Sequence, residues 1–228
     1  ASTVETIVRA LEETVDEYEI IVVNDGSTDG TGAILQALAT TDPRLLVVTN
    51  EVNRGFAAGV RRLLRDAPGE LVFYLAADGE WRARELFGLL DKLGEGYDLV
   101  IGVRRQKHYG AYRLATSWLF NLLVRALFGI NLQDVGSITL AYSRIWKRIS
   151  PQSDTAFACA EVLLLAWLNG ARIGFTPVDH VWRSTGRSKF NNPLRALEAF
   201  ADLFAFWLSQ GSVLRRSRLA SLRSTMKL

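Results

Sequence analysis

Apolar and polar positions follow two alternating patterns along the first hundred residues. Four short runs, YEIIVVN at 18–24, RLLVVT at 44–49, ELVFYLA at 70–76 and DLVIGV at 98–103, are nearly continuous in apolar character. That is the pattern of strands covered on both faces. Between them, residues 3–15, 29–40, 55–66 and 82–94 carry helical spacing. Strand and helix alternate with short connections. This predicts an α/β fold: a mostly parallel sheet, flanked by helices, with right-handed crossovers.

The pattern changes after residue 110. Residues 111–128 read as a long helix that is apolar almost all round, with Ser117, Asn121 and Arg125 as one thin polar stripe. Strands are predicted at 138–148 and 172–182, with a helix at 158–169 between them. A second helix with little polar face spans 193–209, where Arg195, Glu198 and Asp202 share one edge. The expected organisation is one domain over 1–192, then an amphipathic helix and basic tail over 193–228. No internal repeat or low-complexity segment stands out.

Composition refines this picture in a few places. At 228 residues and 49% apolar, the chain can build a sizeable core. The single cysteine, Cys159, excludes an internal disulfide framework, and two histidines with one cysteine do not supply a structural zinc set. The net charge of +3 is unevenly placed: residues 212–228 hold Arg215, Arg216, Arg218, Arg223 and Lys227 and no acid, giving +5 there and −2 elsewhere. A local basic tail suits an anionic lipid surface or nucleic acid. It lacks interleaved aromatics, which disfavours nucleic acid. No stretch reaches the roughly 20 apolar residues of a spanning helix, and no secretory leader is visible. The chain opens without Met on STVE, a capping-box pattern of Ser2 with Glu5.

The first chemistry-bearing corner is EIIVVNDGSTDGT, residues 19–31, a strand that runs into Asp25, Ser27 and Asp29. An EF-hand loop starting at Asp25 would need glutamate at its twelfth position, which is Gln36. No Walker lysine and no G-x-G-x-x-G follow the strand. Nucleotide recognition remains, because ligands of open parallel sheets bind beyond the carboxyl ends of strands. Asp25, with Ser27, is the candidate contact; the alternative is that Asp25, Ser27 and Asp29 only cap the next helix. The second corner, FYLAADGEW at 73–81, places Asp78 and Glu80 beyond another apolar strand. Two carboxylates so spaced suit Mg²⁺ or Mn²⁺ holding a diphosphate.

The segments EIIVVNDGSTDGT, NRGFAAGV, LAADGEW, YDLVIGVRR, LQDVG, AEVLLLAWLNGARIGFTPVDH and WRSTGRSKF occur in the order seen in family-2 glycosyltransferases of the GT-A fold. The chain resembles the polyprenyl-phosphate sugar synthases, such as dolichol-phosphate mannose synthases, over residues 1 to about 192. The resemblance implies that Asp25 contacts the donor base and Asp78 holds the metal under the donor diphosphate. Glu80 stands where such enzymes usually have a metal-assisting glutamine. Arg104 and Arg113 are implied to approach the acceptor phosphate, and Asp134 to open a motif near the reacting centre. Arg183, Arg187 and Lys189 belong to a loop that closes over the phosphates. Two departures stand out. Ala76 occupies the first position of an Asp-x-Asp pair found in many members. Members also begin with a strand and turn that this sequence starts just after; a sheet without that inner strand would have unpaired backbone groups and an open core slot, so a fragment of a longer protein is expected.

The implied activity is metal-dependent, inverting transfer of a sugar from a nucleotide diphospho-sugar of the GDP-mannose or UDP-glucose type to a polyprenyl phosphate. An ionised phosphate acceptor needs positioning by Arg104 and Arg113 rather than a base. A saccharide hydroxyl acceptor would need one, with Asp134 the candidate. A catalytically silent nucleotide-sugar-binding protein is the third reading, motivated by Ala76. Histidines 108 and 180 receive no role. The helices at 111–128 and 193–209, with Phe200, Phe204, Phe206 and Trp207, suit either a protein interface or peripheral contact with the cytoplasmic face of a membrane, and the tail would lie over anionic headgroups.

Overall fold

A computed structural model describes residues 2–13, 15–106, 109–181 and 192–210. In chain order the elements are α1 (Ser2–Glu12), β1 (Ile20–Asp25), α2 (Thr31–Thr41), β2 (Leu45–Asn50), α3 (Phe56–Asp66) and β3 (Leu71–Tyr74). A 3-10 turn, Ala83–Glu85, leads into α4 (Leu86–Gly94). There follow β4 (Leu99–Arg104), α5 (Ala111–Phe128), β5 (Thr139–Tyr142), α6 (Ser143–Trp146), α7 (Ala158–Leu168), β6 (Ile173–Val178) and α8 (Pro193–Ser209). The Ser2 side chain, expected to cap α1, lies outside the described residues, as does the basic tail after Gln210.

The strands form two sheets. β1 and β2 pair in parallel, in register from Ile20 opposite Leu45 to Asp25 opposite Asn50. The other sheet has the order β3-β5-β4-β6, with β4 and β6 parallel and β5 antiparallel to both β3 and β4. β3, β4 and β6 therefore share one direction, and β5 alone in that sheet runs against them. No ladder joins the two sheets among the described residues.

Alternation along the strands explains the layers. Leu99 and Ile101 of β4 and Ala141 of β5 enter one core, with Val124 and Phe128 of α5, Leu163 and Leu164 of α7 and Leu203 of α8. Val100 and Leu140 point the other way, onto Leu86, Leu89 and Leu93 of α4 and Leu11 of α1. A smaller core joins Val4, Leu35 and Leu45 beside the β1–β2 pair. The layers close tightly at Gly102, where an added Cβ would meet Ile138 Cγ1 and Val178 Cγ2 at 2.8 Å each.

Several boundaries differ from the sequence reading. The run predicted as a strand over 138–148 extends only from Thr139 to Tyr142, then turns into α6. Ser143 N–H donates to the Glu70 carbonyl at 2.7 Å, which ends the strand beside the start of β3. The predicted strand at 172–182 is shorter too, at Ile173–Val178. α8 is also turned differently from the expectation. Phe206 and Trp207 pack against the main core, and Phe200 lies 5.7 Å from Phe120 of α5. Asp202, placed on a polar edge by the sequence reading, accepts from Ser153 Oγ at 2.7 Å and Thr155 Oγ1 at 2.8 Å. The large apolar side chains exposed on α8 are Leu194, Leu197, Phe204 and Leu208, and those on α5 include Tyr112, Trp118, Leu119 and Leu122. No described helix is long and apolar enough to cross a membrane.

Candidate functional site

Two of the acid-tipped strands build corners of different kinds. At the end of β1, Asp25 Oδ1 accepts from Asn50 Nδ2 at 2.9 Å and from the Arg54 N–H at 2.8 Å. Oδ2 accepts the Gly55 N–H at 2.8 Å, and the Asp25 carbonyl accepts from Asn53 Nδ2 at 3.1 Å. The carboxylate thus stitches β1 to the loop that leaves β2 and to the first turn of α3. Gly26 makes this possible: its φ is +67°, and a Cβ there would stand 2.6 Å from the Asn53 nitrogen. Ser27 is exposed, and its N–H donates to Asn24 Oδ1 at 3.2 Å. Asp29 does act on the following helix, since its Oδ1 accepts the Thr31 N–H at 3.0 Å. Hydrogen bonds from Thr31 hold the Asp29 carboxyl below its ordinary range.

The second corner lies beyond β3. Asp78 Oδ1 accepts the Glu80 N–H at 3.2 Å across Gly79. Glu80 is tied to the segment after β6 twice: its Oε2 lies 3.0 Å from His180 Nε2, and its carbonyl accepts the Val181 N–H at 2.9 Å. Trp81 stands edge-on to the His180 ring with centroids 5.1 Å apart.

Beside this turn, β4 ends in Arg104, which is buried rather than at the surface. Its backbone N–H donates to Asp134 Oδ2 at 3.1 Å, its Nη2 lies 3.3 Å from Asp134 Oδ1, and Nη2 also donates to the Gly136 carbonyl at 2.8 Å. Nη1 meets the Tyr109 hydroxyl. The guanidinium carbon sits 5.1 Å from the Trp81 ring centre and 5.4 Å from that of Tyr109. Arg113, on the first turn of α5, stacks on Tyr109, 3.5 Å from the ring centre. Burial pushes the Tyr109 phenol above its ordinary pKa, with the two arginines acting in the opposite direction.

The structure therefore gathers Glu80, Arg104, Arg113 and Asp134 into one cluster, with Asp78 on the adjoining turn and Asp25 and Ser27 at the β1 corner. Arg183, Arg187, Lys189 and His108 lie outside the described residues. His180, Tyr109 and Trp81 are members that the sequence reading missed. The signal available for His180 was its place two residues past the end of a strand.

Asp78 and Glu80 offer hard oxygen donors of the kind Mg²⁺ and Mn²⁺ prefer. Among the described residues, no group of three or more His, Cys, Asp or Glu side chains could hold a cation. The pair fits an ion whose remaining ligands come from phosphate and water, and not an all-protein cage.

Solved structures share the architecture. Glucosyl-3-phosphoglycerate synthase from Mycobacterium tuberculosis, in complex with Mg²⁺ and uridine diphosphate, superposes with a TM-score of 0.69 at 20% identity, covering 90% of this chain and 74% of that one. The complex of the same synthase with Mn²⁺, uridine diphosphate and phosphoglyceric acid gives 0.68 at 21% identity, covering 90% and 74%. These similarities define the class: an α/β domain with the GT-A fold. The chain belongs to glycosyl transferase family 2, whose family model matches residues 1–147. Among curated proteins, undecaprenyl-phosphate 4-deoxy-4-formamido-L-arabinose transferases of Salmonella choleraesuis (strain SC-B67) and Salmonella newport (strain SL254) are each 28% identical over 199 residues. The match takes in 85% of this chain and spans 59% of the length of each relative.

Proposed function

We propose that this chain is the catalytic part of a metal-dependent, inverting glycosyltransferase that moves a sugar from a nucleotide diphospho-sugar to a polyprenyl phosphate, in peripheral contact with the cytoplasmic face of a membrane. One observation carries the reading. The acid turn at Asp78 and Glu80 is joined through Trp81, Arg104 and Tyr109 to Arg113 on the first turn of α5. That helix exposes Tyr112, Trp118, Leu119 and Leu122 beyond the site. A phosphate headgroup at Arg113 would thus have an apolar helix face beside it for its chain. The relatives' names, which give undecaprenyl phosphate as acceptor, support the same class of lipid.

In this scheme an oxygen of the acceptor phosphate bonds to the anomeric carbon as the bond to the diphosphate breaks, and the nucleoside diphosphate departs. A divalent cation bound at Asp78 and Glu80 supplies electrostatic stabilisation of the charge collecting on that diphosphate. Arg113 positions the acceptor phosphate, with cations from the 183–189 segment on the phosphates. Trp81 and Tyr109 wall the cluster and keep its dielectric low. Arg104 acts at one remove, holding Asp134 and the Gly136 carbonyl in place. Asp25 and Ser27 form the base-side corner of the donor site. Exposed apolar residues of α5 and α8, among them Trp118 and Leu208 at 65% and 71% exposure, face the lipid.

Two donor types follow from the similarities: a GDP-mannose or UDP-glucose type from the resemblance to mannose synthases, and a 4-deoxy-4-formamido-L-arabinose donor from the curated relatives' names. A panel of radiolabelled nucleotide sugars, presented with Mg²⁺ or Mn²⁺ and polyprenyl phosphate in vesicles, decides it. Label passing into the lipid phase supports the proposal; no transfer from any donor opposes it. The hydroxyl-acceptor alternative draws on Asp134, buried beside the cluster. Asp134→Asn separates the two, with mild loss for a phosphate acceptor and near-abolition for a hydroxyl acceptor.

A further inference from the structure

The histidine beyond β6 has no place in the mechanism above, yet it is among the most enclosed groups of the site. The His180 side chain is 3% exposed. It is 100 residues from Glu80 in sequence and reaches it with Nε2 at 3.0 Å from Oε2. The next residue repeats the connection through the backbone, Val181 N–H to the Glu80 carbonyl at 2.9 Å. The ring is gripped by two aromatic neighbours, Trp81 at 5.1 Å and 71° and Tyr109 at 6.0 Å and 68°. Its Nδ1 is buried with no hydrogen-bond partner among the described residues.

These facts fix the ring's chemistry as well as its place. A carboxylate accepts and does not donate, so Nε2 carries the hydrogen in this contact. In that tautomer Nδ1 is a lone-pair acceptor. The imidazole is therefore built to hold Glu80, and has no other described polar contact. A glutamate has three rotatable bonds, and a ligand side chain already held in one rotamer loses less freedom when a cation arrives. Groups that hydrogen-bond a ligating carboxylate commonly alter metal affinity or activity about 10–100-fold when removed.

We propose that His180 is a positioning residue: its Nε2–H fixes the Glu80 carboxylate and thereby sets the affinity of the Asp78–Glu80 turn for a divalent cation. The inference rests on the reading of that turn as the cation-holding element. The readout is Mn²⁺ affinity, measured on the full-length protein by electron paramagnetic resonance with uridine diphosphate or guanosine diphosphate present, alongside thermal melting without metal. His180→Phe keeps an aromatic ring between Trp81 and Tyr109 but removes the donor, and is expected to weaken Mn²⁺ about 10–100-fold. His180→Gln, whose amide can donate to the same carboxylate, is expected to recover most of that loss. In a Glu80→Gln background, His180→Phe should add little, because the partner it positions is already altered.

Wild-type affinity in the His180→Phe variant, while Asp78→Ala loses the ion, would overturn this proposal and leave the site reading standing. Equal, additive losses in both backgrounds would also overturn it, as would loss of cooperative melting in both the Phe and Gln variants, since each marks a purely structural histidine. No Mn²⁺ uptake by the wild type with either nucleotide would overturn the site reading and this proposal together.

Discussion

The corners at the ends of β1 and β3 look alike as sequence and differ as structures. Each is an apolar strand running into a pair of acids around a glycine. At β1, the carboxylate of Asp25 is met by the Arg54 and Gly55 backbone N–H groups and the Asn50 amide, so it organises two loops and a helix start. At β3, Asp78 accepts the Glu80 backbone N–H, but Glu80 itself is met by a side chain, His180, with Trp81, Arg104, Tyr109 and Arg113 close by. The Asp25 carboxylate is held mainly by backbone donors, whereas the Glu80 carboxylate is braced by an imidazole beside cations and aromatic faces. An acid at a strand end thus marks a site without saying which part it plays there; the partners decide.

Arg104→Met should cost about 3–5 kcal/mol of stability, because it removes a buried guanidinium that pairs with Asp134 and donates to the Gly136 carbonyl. Chemical denaturation would read that loss, and a change under about 1 kcal/mol would show that Asp134 is satisfied without Arg104. Asp78→Ala should leave the melting temperature nearly unchanged and lower kcat/KM by about 10²–10³, the scale of one lost electrostatic contact to a transition state. Asp25→Ala should do the reverse in kind, costing about 1–3 kcal/mol of stability through its orphaned loop donors. It should also raise KM for the nucleotide sugar more than it lowers kcat. Trp118→Ser with Leu208→Ser should shift stability by no more than about 0.5 kcal/mol. Co-sedimentation with anionic vesicles should nonetheless fall, and unchanged sedimentation would remove the lipid-facing role of α5 and α8.

Much of the fold was legible because strands leave nearly continuous apolar runs: β3 falls within its run, and β1, β2 and β4 each end one residue beyond theirs. β5 was not legible in direction or length. Four residues of antiparallel strand carry the same apolar character as the helical turn that follows, and strand direction leaves no mark in so short a run. α5 and α8 were found, but not their rotation. A helix apolar almost all round gives no face to aim, so Phe206 and Trp207, expected at a surface, pack inward, while Leu194 and Leu197 point out. At the site, the acids announced themselves by following strands. Arg104 could not be told from a surface arginine, because its burial depends on Asp134, thirty residues away. For His180, its place near a strand end was legible but not its partner, which lies a hundred residues back in a different strand's turn.

On the proposed function, Asp78 and Glu80 would hold a divalent cation that would stabilise charge on the donor diphosphate. Crystals soaked with a nucleotide sugar and Mn²⁺ test it through the anomalous signal of the metal. The account predicts a peak between the diphosphate and the carboxylates of Asp78 and Glu80, with the base toward the Asp25 corner. A nucleotide bound without a peak there, or a peak elsewhere with Asp78 and Glu80 turned away from it, would contradict it.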